Sequence, residues 1–277
     1  MDLRNTALRT LRRYRKAVEQ ARLRPDREGL HRLRVRMKRV RSLLRFLAQL
    51  DGDGDPPKGA VRRTSELFRA AGAVREAQIN LAHLKALHGV SRAARTAGGT
   101  HLRRKEEELV KRLHTALDRM RPVDFQRLEL HALRVLHGRT KGRMRATARA
   151  FIRTELHHAT RLARAADAHL HLHEVRKHLK HVLHLFDLLD PGIPRPDGLP
   201  KVLGRLGDWH DALVLRNTVI TLHKHPVQRN ELLAAVEAQL HNLQTDALHR
   251  VHALLGEADH SPRASSPRTP FQRPTKT

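Results

Sequence analysis

One stretch of this chain is written twice. The segment LHRLRVRMKRVRSLLRFLAQLD, from Leu30 to Asp51, returns as LHEVRKHLKHVLHLFDLLDPG from Leu172. His31, Arg34 and Lys38 fall on His173, Arg176 and Lys180 at one constant offset. Each copy runs into a Pro/Gly loop and then a second matching piece: ELFRAAGAVREA, Glu66 to Ala77, and KVLGRLGDWHDA, Lys201 to Ala212. In these, Gly72, Glu76 and Ala77 align with Gly207, Asp211 and Ala212. Two separate matches in the same order point to a duplicated helical unit. A single domain over 1–256 is expected, built from related halves at about 1–137 and 143–256.

Helical periodicity dominates throughout, and no convincing alternating strand is present. Breaks are expected at Pro25-Asp26, Asp51 to Pro57, Gly98-Gly99, Pro122, Gly138 to Gly142, Pro191 to Pro200, and Pro226. The helices between them are placed at about 3–24, 27–50, 58–89, 101–120, 124–137, 143–168, 170–189, 199–224 and 228–256. The fold class is therefore all-α. Residues 257–277, rich in Pro, Ser and Thr with few apolar side chains, are expected to form a disordered basic tail.

At 100° per residue the first repeated helix carries two stripes. Leu33, Met37, Val40, Leu44 and Leu47 form a packing stripe, and His31, Arg34, Lys38, Arg41 and Arg45 stand in a row beside it. Arg32, Arg36 and Arg39 face away as ordinary surface. In the second copy Val175, Leu179, Val182 and Phe186 pack, with His173, Arg176, Lys180 and His184 alongside. Asp187 stands where the first copy has Arg45, so the second row is shorter in charge. A charge run on one helix is usually only a solvated face. Solvated faces need no particular side chain, however, and here His, Arg and Lys return at the same spacings while Arg32 becomes Glu174 and Arg36 becomes His178.

The charge balance says what such rows are for. With 55 Lys and Arg against 28 Asp and Glu, the net charge is +27 before any of the 22 His is counted. So large an excess on a compact body calls for a polyanionic partner. Cations one helical turn apart, ~5.4 Å, suit a flexible linear polyanion. Arg forks two phosphate oxygens, Lys supplies a point charge, and His adds a proton-dependent donor. Aromatic residues make up 3% of the chain, with one Trp and one Tyr. Single-stranded nucleic acid is generally held on aromatic platforms, and neither a helix-turn-helix, a zinc finger nor an RNP signature is present. Inorganic polyphosphate has charge without bases, which favours it over nucleic acid. Weak nonspecific nucleic-acid binding stays as the alternative.

At this level the chain resembles the CHAD domain, the conserved histidine α-helical domain. The resemblance covers about Leu3 to Leu255 and rests on HRLRVRMKRVRSLLRFL and HEVRKHLKHVLHLF, together with GAVREA and LGDWHDA. It implies two four-helix bundle-like halves related by a pseudo-two-fold axis, a central basic pore, polyphosphate binding and association with intracellular polyphosphate granules. It assigns His31, Arg34, Lys38, Arg41, His173, Arg176 and Lys180 to ligand contact. Many members carry an Arg-Tyr pair after the second basic element, where this chain has Val182-Leu183. The acidic strands of the triphosphate tunnel enzymes fused to many relatives are absent, so the resemblance implies a stand-alone member.

Other chemistries find less support. His210 beside Asp211, with Asp208 near, lacks a nucleophile or an oriented third group, so no catalytic residue and no enzyme is expected. Gly207-Asp208 is read as the end of a helical segment, with Asp211 capping or pairing with an Arg. His178, His181 and His184 recur every three residues, but no carboxylate or thiol completes a metal set and adjacent Arg and Lys repel a divalent cation, so neither a metal nor a cofactor is expected. Without cysteine there are no disulfides. The N-terminus has no apolar signal region and no stretch approaches a membrane span, so a cytoplasmic location is expected, and the resemblance implies polyphosphate granules.

Overall fold

The computed structural model describes residues 3–24, 26–52, 56–222 and 224–259. Among them are nine helices: α1 (Leu3–Leu23), α2 (Arg27–Asp51), α3 (Lys58–Ala86), α4 (Arg92–Asp118), α5 (Pro122–Leu136), α6 (Lys141–Ala163), α7 (Ala168–Leu188), α8 (Leu199–Ile220) and α9 (Pro226–Asp259). No described residue is in a strand. The all-α expectation stands.

Most helix starts follow from local chemistry. Asp26 accepts from Gly29 N at 2.6 Å to open α2, Ser91 from Ala94 N at 3.2 Å to open α4, and Thr140 from Arg143 N at 3.2 Å to open α6. Pro122 and Pro226 are first residues of α5 and α9, where a missing N–H costs nothing.

One expected break is absent. Gly98 and Gly99 lie inside α4, and the chain turns earlier, at Gly89 with φ 67°. Glycine weakens a helix by about 1 kcal/mol relative to alanine. Here packing outweighs propensity: a Cβ on Gly98 would stand 3.1 Å from both Leu232 of α9 and Leu84 of α3. The small residue lets three helices close on one another. A second expected boundary also moves: Gly207 and Asp208 end nothing, since α8 runs unbroken from Leu199 to Ile220. At the C-terminus α9 continues through Asp259, past the expected start of the tail, and residues 260–277 lie outside the described residues.

The packing stripes do what their spacing requires. Leu33, Met37, Val40 and Leu47 of α2 and Val175, Leu179 and Val182 of α7 are fully buried, with Leu44 and Phe186 partly so against the same core. That core is continuous across both copies of the repeat. A smaller cluster around Leu84, Leu215, Val219 and Leu232 joins α3, α4, α8 and α9. The helices that carry the repeat pack on their counterparts, α2 on α7 and α3 on α8, and α4 packs on α9. Because α2 also packs on α3 and α7 on α8, these four close into a ring. None of the described helices is long and apolar enough to cross a membrane.

Candidate functional site

The ring of α2, α3, α7 and α8 brings the two basic rows to one place. Arg34 and Lys38 on α2 lie within electrostatic reach of Arg176 on α7, and Lys180 on α7 is within reach of all three. All four side chains are half-buried. Among the described residues none has a carboxylate within ion-pair distance, and Nη1 of Arg34 and Nε of Arg176 are buried without a hydrogen-bond partner. Arg34 spans α3, its guanidinium 5.4 Å from the Phe68 ring and against Gly72. Arg176 lies against Gly207 of α8 in the corresponding way.

Cations held together out of water resist being charged. Burial, then Arg34 and Arg176, bring Lys38 down to about 8. Burial, then Arg176, Lys38 and Arg34, bring Lys180 down to about 7. Burial likewise lowers Arg34 and Arg176 from their ordinary values. His210 of α8 is brought to about 4 by burial and by Arg176, His173 and Lys180, so it is neutral at pH 7.

Two carboxylates share the cluster, one from each copy. Glu76 on α3 and Asp211 on α8 stand among Arg34, Arg176 and Lys180, and burial raises both above the usual carboxylate range. The middle of the ring is thus a cationic excess with acid groups in it, not a purely basic lining. Sequence reasoning left Glu76, Arg75, His210 and Asp211 out of the site, although Glu76 and Asp211 occupy matching places in the second repeated piece. That alignment was the available signal.

The remaining expected residues are spread along the rows. Arg41 is exposed, its guanidinium 4.3 Å above the Phe68 ring. His31 is exposed at the start of its row. His173 stands at the rim with its ring 5.0 Å from that of His210; partial burial lowers its pKa, Glu174 counters this, and Lys177, Arg176 and Lys180 add to the lowering. Two residues turn elsewhere. Arg45 places Nη1 on His181 Nε2, and His184 points to Asp187 at 3.8 Å. Each lies in the C-terminal half of its helix, beyond Lys38 or Lys180, and meets a partner on α7 there.

The aromatics fit a site without stacking. Tyr14 is wholly buried, edge-on to Phe125 at 5.4 Å, and Trp209 is 5% exposed.

The CHAD domain family model matches residues 5–219, which takes in both repeated pieces of both copies. The chain belongs to the CHAD family. A crystal structure of the CHAD domain from the plant Ricinus communis superposes with a TM-score of 0.64 at 18% identity, over 92% of this chain and 91% of that one. At that identity the likeness concerns the CHAD fold. No curated protein matches the chain.

Proposed function

We propose that this CHAD protein binds inorganic polyphosphate along the cations of α2 and α7, without catalysis, and thereby associates with polyphosphate granules. The observation that carries the reading is the convergence of Arg34, Lys38, Arg176 and Lys180 with no carboxylate in ion-pair distance among the described residues. Folding has brought these charges together and partly out of water, which costs free energy unless a polyanion occupies the space. Arg41 extends the row outward, and His31 and His173 stand at its rim.

Membership of the CHAD family supports the choice of ligand, since the resemblance implies polyphosphate. So does the burial of Tyr14 and Trp209, which leaves no exposed Trp or Tyr platform for bases among the described residues. Competition decides between ligands: long-chain polyphosphate is expected to displace both single- and double-stranded DNA at about 0.15 M salt, where loose counterion-driven binding is weakened. If DNA displaces polyphosphate, the protein is a nucleic-acid binder.

A further inference from the structure

Away from the central cluster, α6 and α7 each offer a pair of residues three apart, which a helix places on one face. Glu155 and His158 project from α6, and His178 and His181 from α7. Glu155 Oε2 accepts from His178 Nδ1 and from His181 Nδ1, each at 2.8 Å. One ligand atom from each of the three residues lies within 4.8 Å of the others. The carboxylate that completes a set with the α7 histidines therefore comes from another helix. The group is sheltered: Glu155 is 12% exposed, and His178 and His181 about a quarter. The His158 ring stacks on that of His178 at 5.3 Å and fixes its plane.

We propose that Glu155, His178 and His181 form a site for one divalent transition-metal ion of the zinc class, and that filling it displaces Arg45 from α7. Two imidazole nitrogens and one carboxylate oxygen suit zinc, cobalt or nickel; magnesium and calcium prefer oxygen throughout. Around a tetrahedral ion with bonds near 2 Å the ligand atoms sit about 3.3 Å apart. The present 2.8 Å contacts need to open by only a few tenths of an ångström.

The displacement of Arg45 follows from proton positions. A guanidinium only donates, so His181 Nε2 is the unprotonated nitrogen where it meets Arg45, and Nδ1–H donates to Glu155. An ion on Nδ1 moves that proton to Nε2. Donor then faces donor, and the exposed Arg45 has to leave. The positive charge that argues against a cation here is on a side chain free to swing into solvent.

The test is zinc titration of the full chain against a chromogenic chelator, with cobalt absorption reporting coordination geometry. One zinc per chain is expected at micromolar affinity or better. Glu155→Gln and His178→Gln should each weaken it by at least about tenfold, while His169→Ala with His171→Ala, a histidine pair outside the cluster, should leave it unchanged. Arg45→Gln, on an exposed side chain, should tighten it. Equal affinity in the parent, Glu155→Gln and His178→Gln proteins would reduce the binding to scattered histidines and overturn the site. An unchanged affinity in Arg45→Gln would overturn the displacement.

Discussion

A Cβ at position 72 would stand 2.6 Å from Nη1 of Arg34. Gly72 is therefore the reason an arginine from α2 lies flat on α3, where it meets Phe68 on one turn and reaches toward Arg176. The matching glycine of the second copy is looser, since a Cβ on Gly207 would stay 3.9 Å from Arg176 Nη2.

The difference between the two glycines gives an asymmetric pair of variants. Gly72→Ala must push the Arg34 guanidinium aside, whereas Gly207→Ala makes only an ordinary contact. Both gain helix propensity, up to about 1 kcal/mol. Calorimetric melting should show neither protein destabilised, while polyphosphate affinity falls several-fold in Gly72→Ala and hardly at all in Gly207→Ala. Equal affinities would mean that the placement of Arg34 does not matter.

Binding should weaken as pH rises from about 6.5 to 8.5. A polyanion favours charged lysine, and with Lys180 at about 7 and Lys38 at about 8 the free protein loses those charges across this range. Each pH unit above a group's pKa costs about a factor of ten in recharging it. Proton uptake on binding, read by titration calorimetry in buffers of different ionisation enthalpy, should therefore be positive near pH 7.5. The two lysines thus join His, which the sequence offered as a proton-dependent donor. In the absence of ligand the sign reverses: the unfolded chain holds more protons on these lysines, so stability gains from them as pH climbs from about 7 toward the ordinary lysine range.

Glu76 and Asp211 oppose an incoming phosphate chain. Glu76→Gln is expected to tighten polyphosphate binding by about fivefold, roughly 1 kcal/mol, as one negative charge leaves a half-buried site. Equilibrium binding of this variant checks it; weaker binding would mean that the carboxylates position the cations for the ligand.

How much of this was legible beforehand depended on whether the signal was local. The packing stripes and the Arg34–Arg176, Lys38–Lys180 correspondence were readable because a helix fixes which residues share a face, and the repeat marked which of those faces was not arbitrary. The Gly98–Gly99 break failed because the cost of glycine was weighed without Leu84 and Leu232, which come from other helices. Glu155 escaped notice for the same reason, lying on α6 while its histidines are on α7. Arg45 and His184 share a helical face with their rows, but angular position on a helix does not say that His181 and Asp187 are nearer partners.

Stability should hinge on a pair remote from the cations. Arg63 forks the fully buried Asp124, with Nε donating at 2.8 Å to Oδ2. Burial alone would raise that carboxylate, but Arg63 and the Arg121 backbone hold it below its usual range. Arg63→Met leaves the buried carboxylate with the Arg121 backbone N–H but no guanidinium, and should cost about 3–5 kcal/mol in denaturant unfolding at pH 7. Its contribution is present above the carboxylate's unfolded pKa and fades as pH falls through the folded one. A loss below about 1 kcal/mol would show that water replaces the guanidinium.

The most direct measurement is the polyphosphate dissociation constant of Arg34→Gln with Arg176→Gln beside that of the parent, at pH 7 and about 0.15 M salt. Charge-assisted contacts contribute about 1.5–3 kcal/mol each, so the double variant, folded by circular dichroism, should bind at least about 100-fold more weakly. Affinity within about threefold of the parent would place the polyphosphate elsewhere and contradict a site built from the two repeated rows.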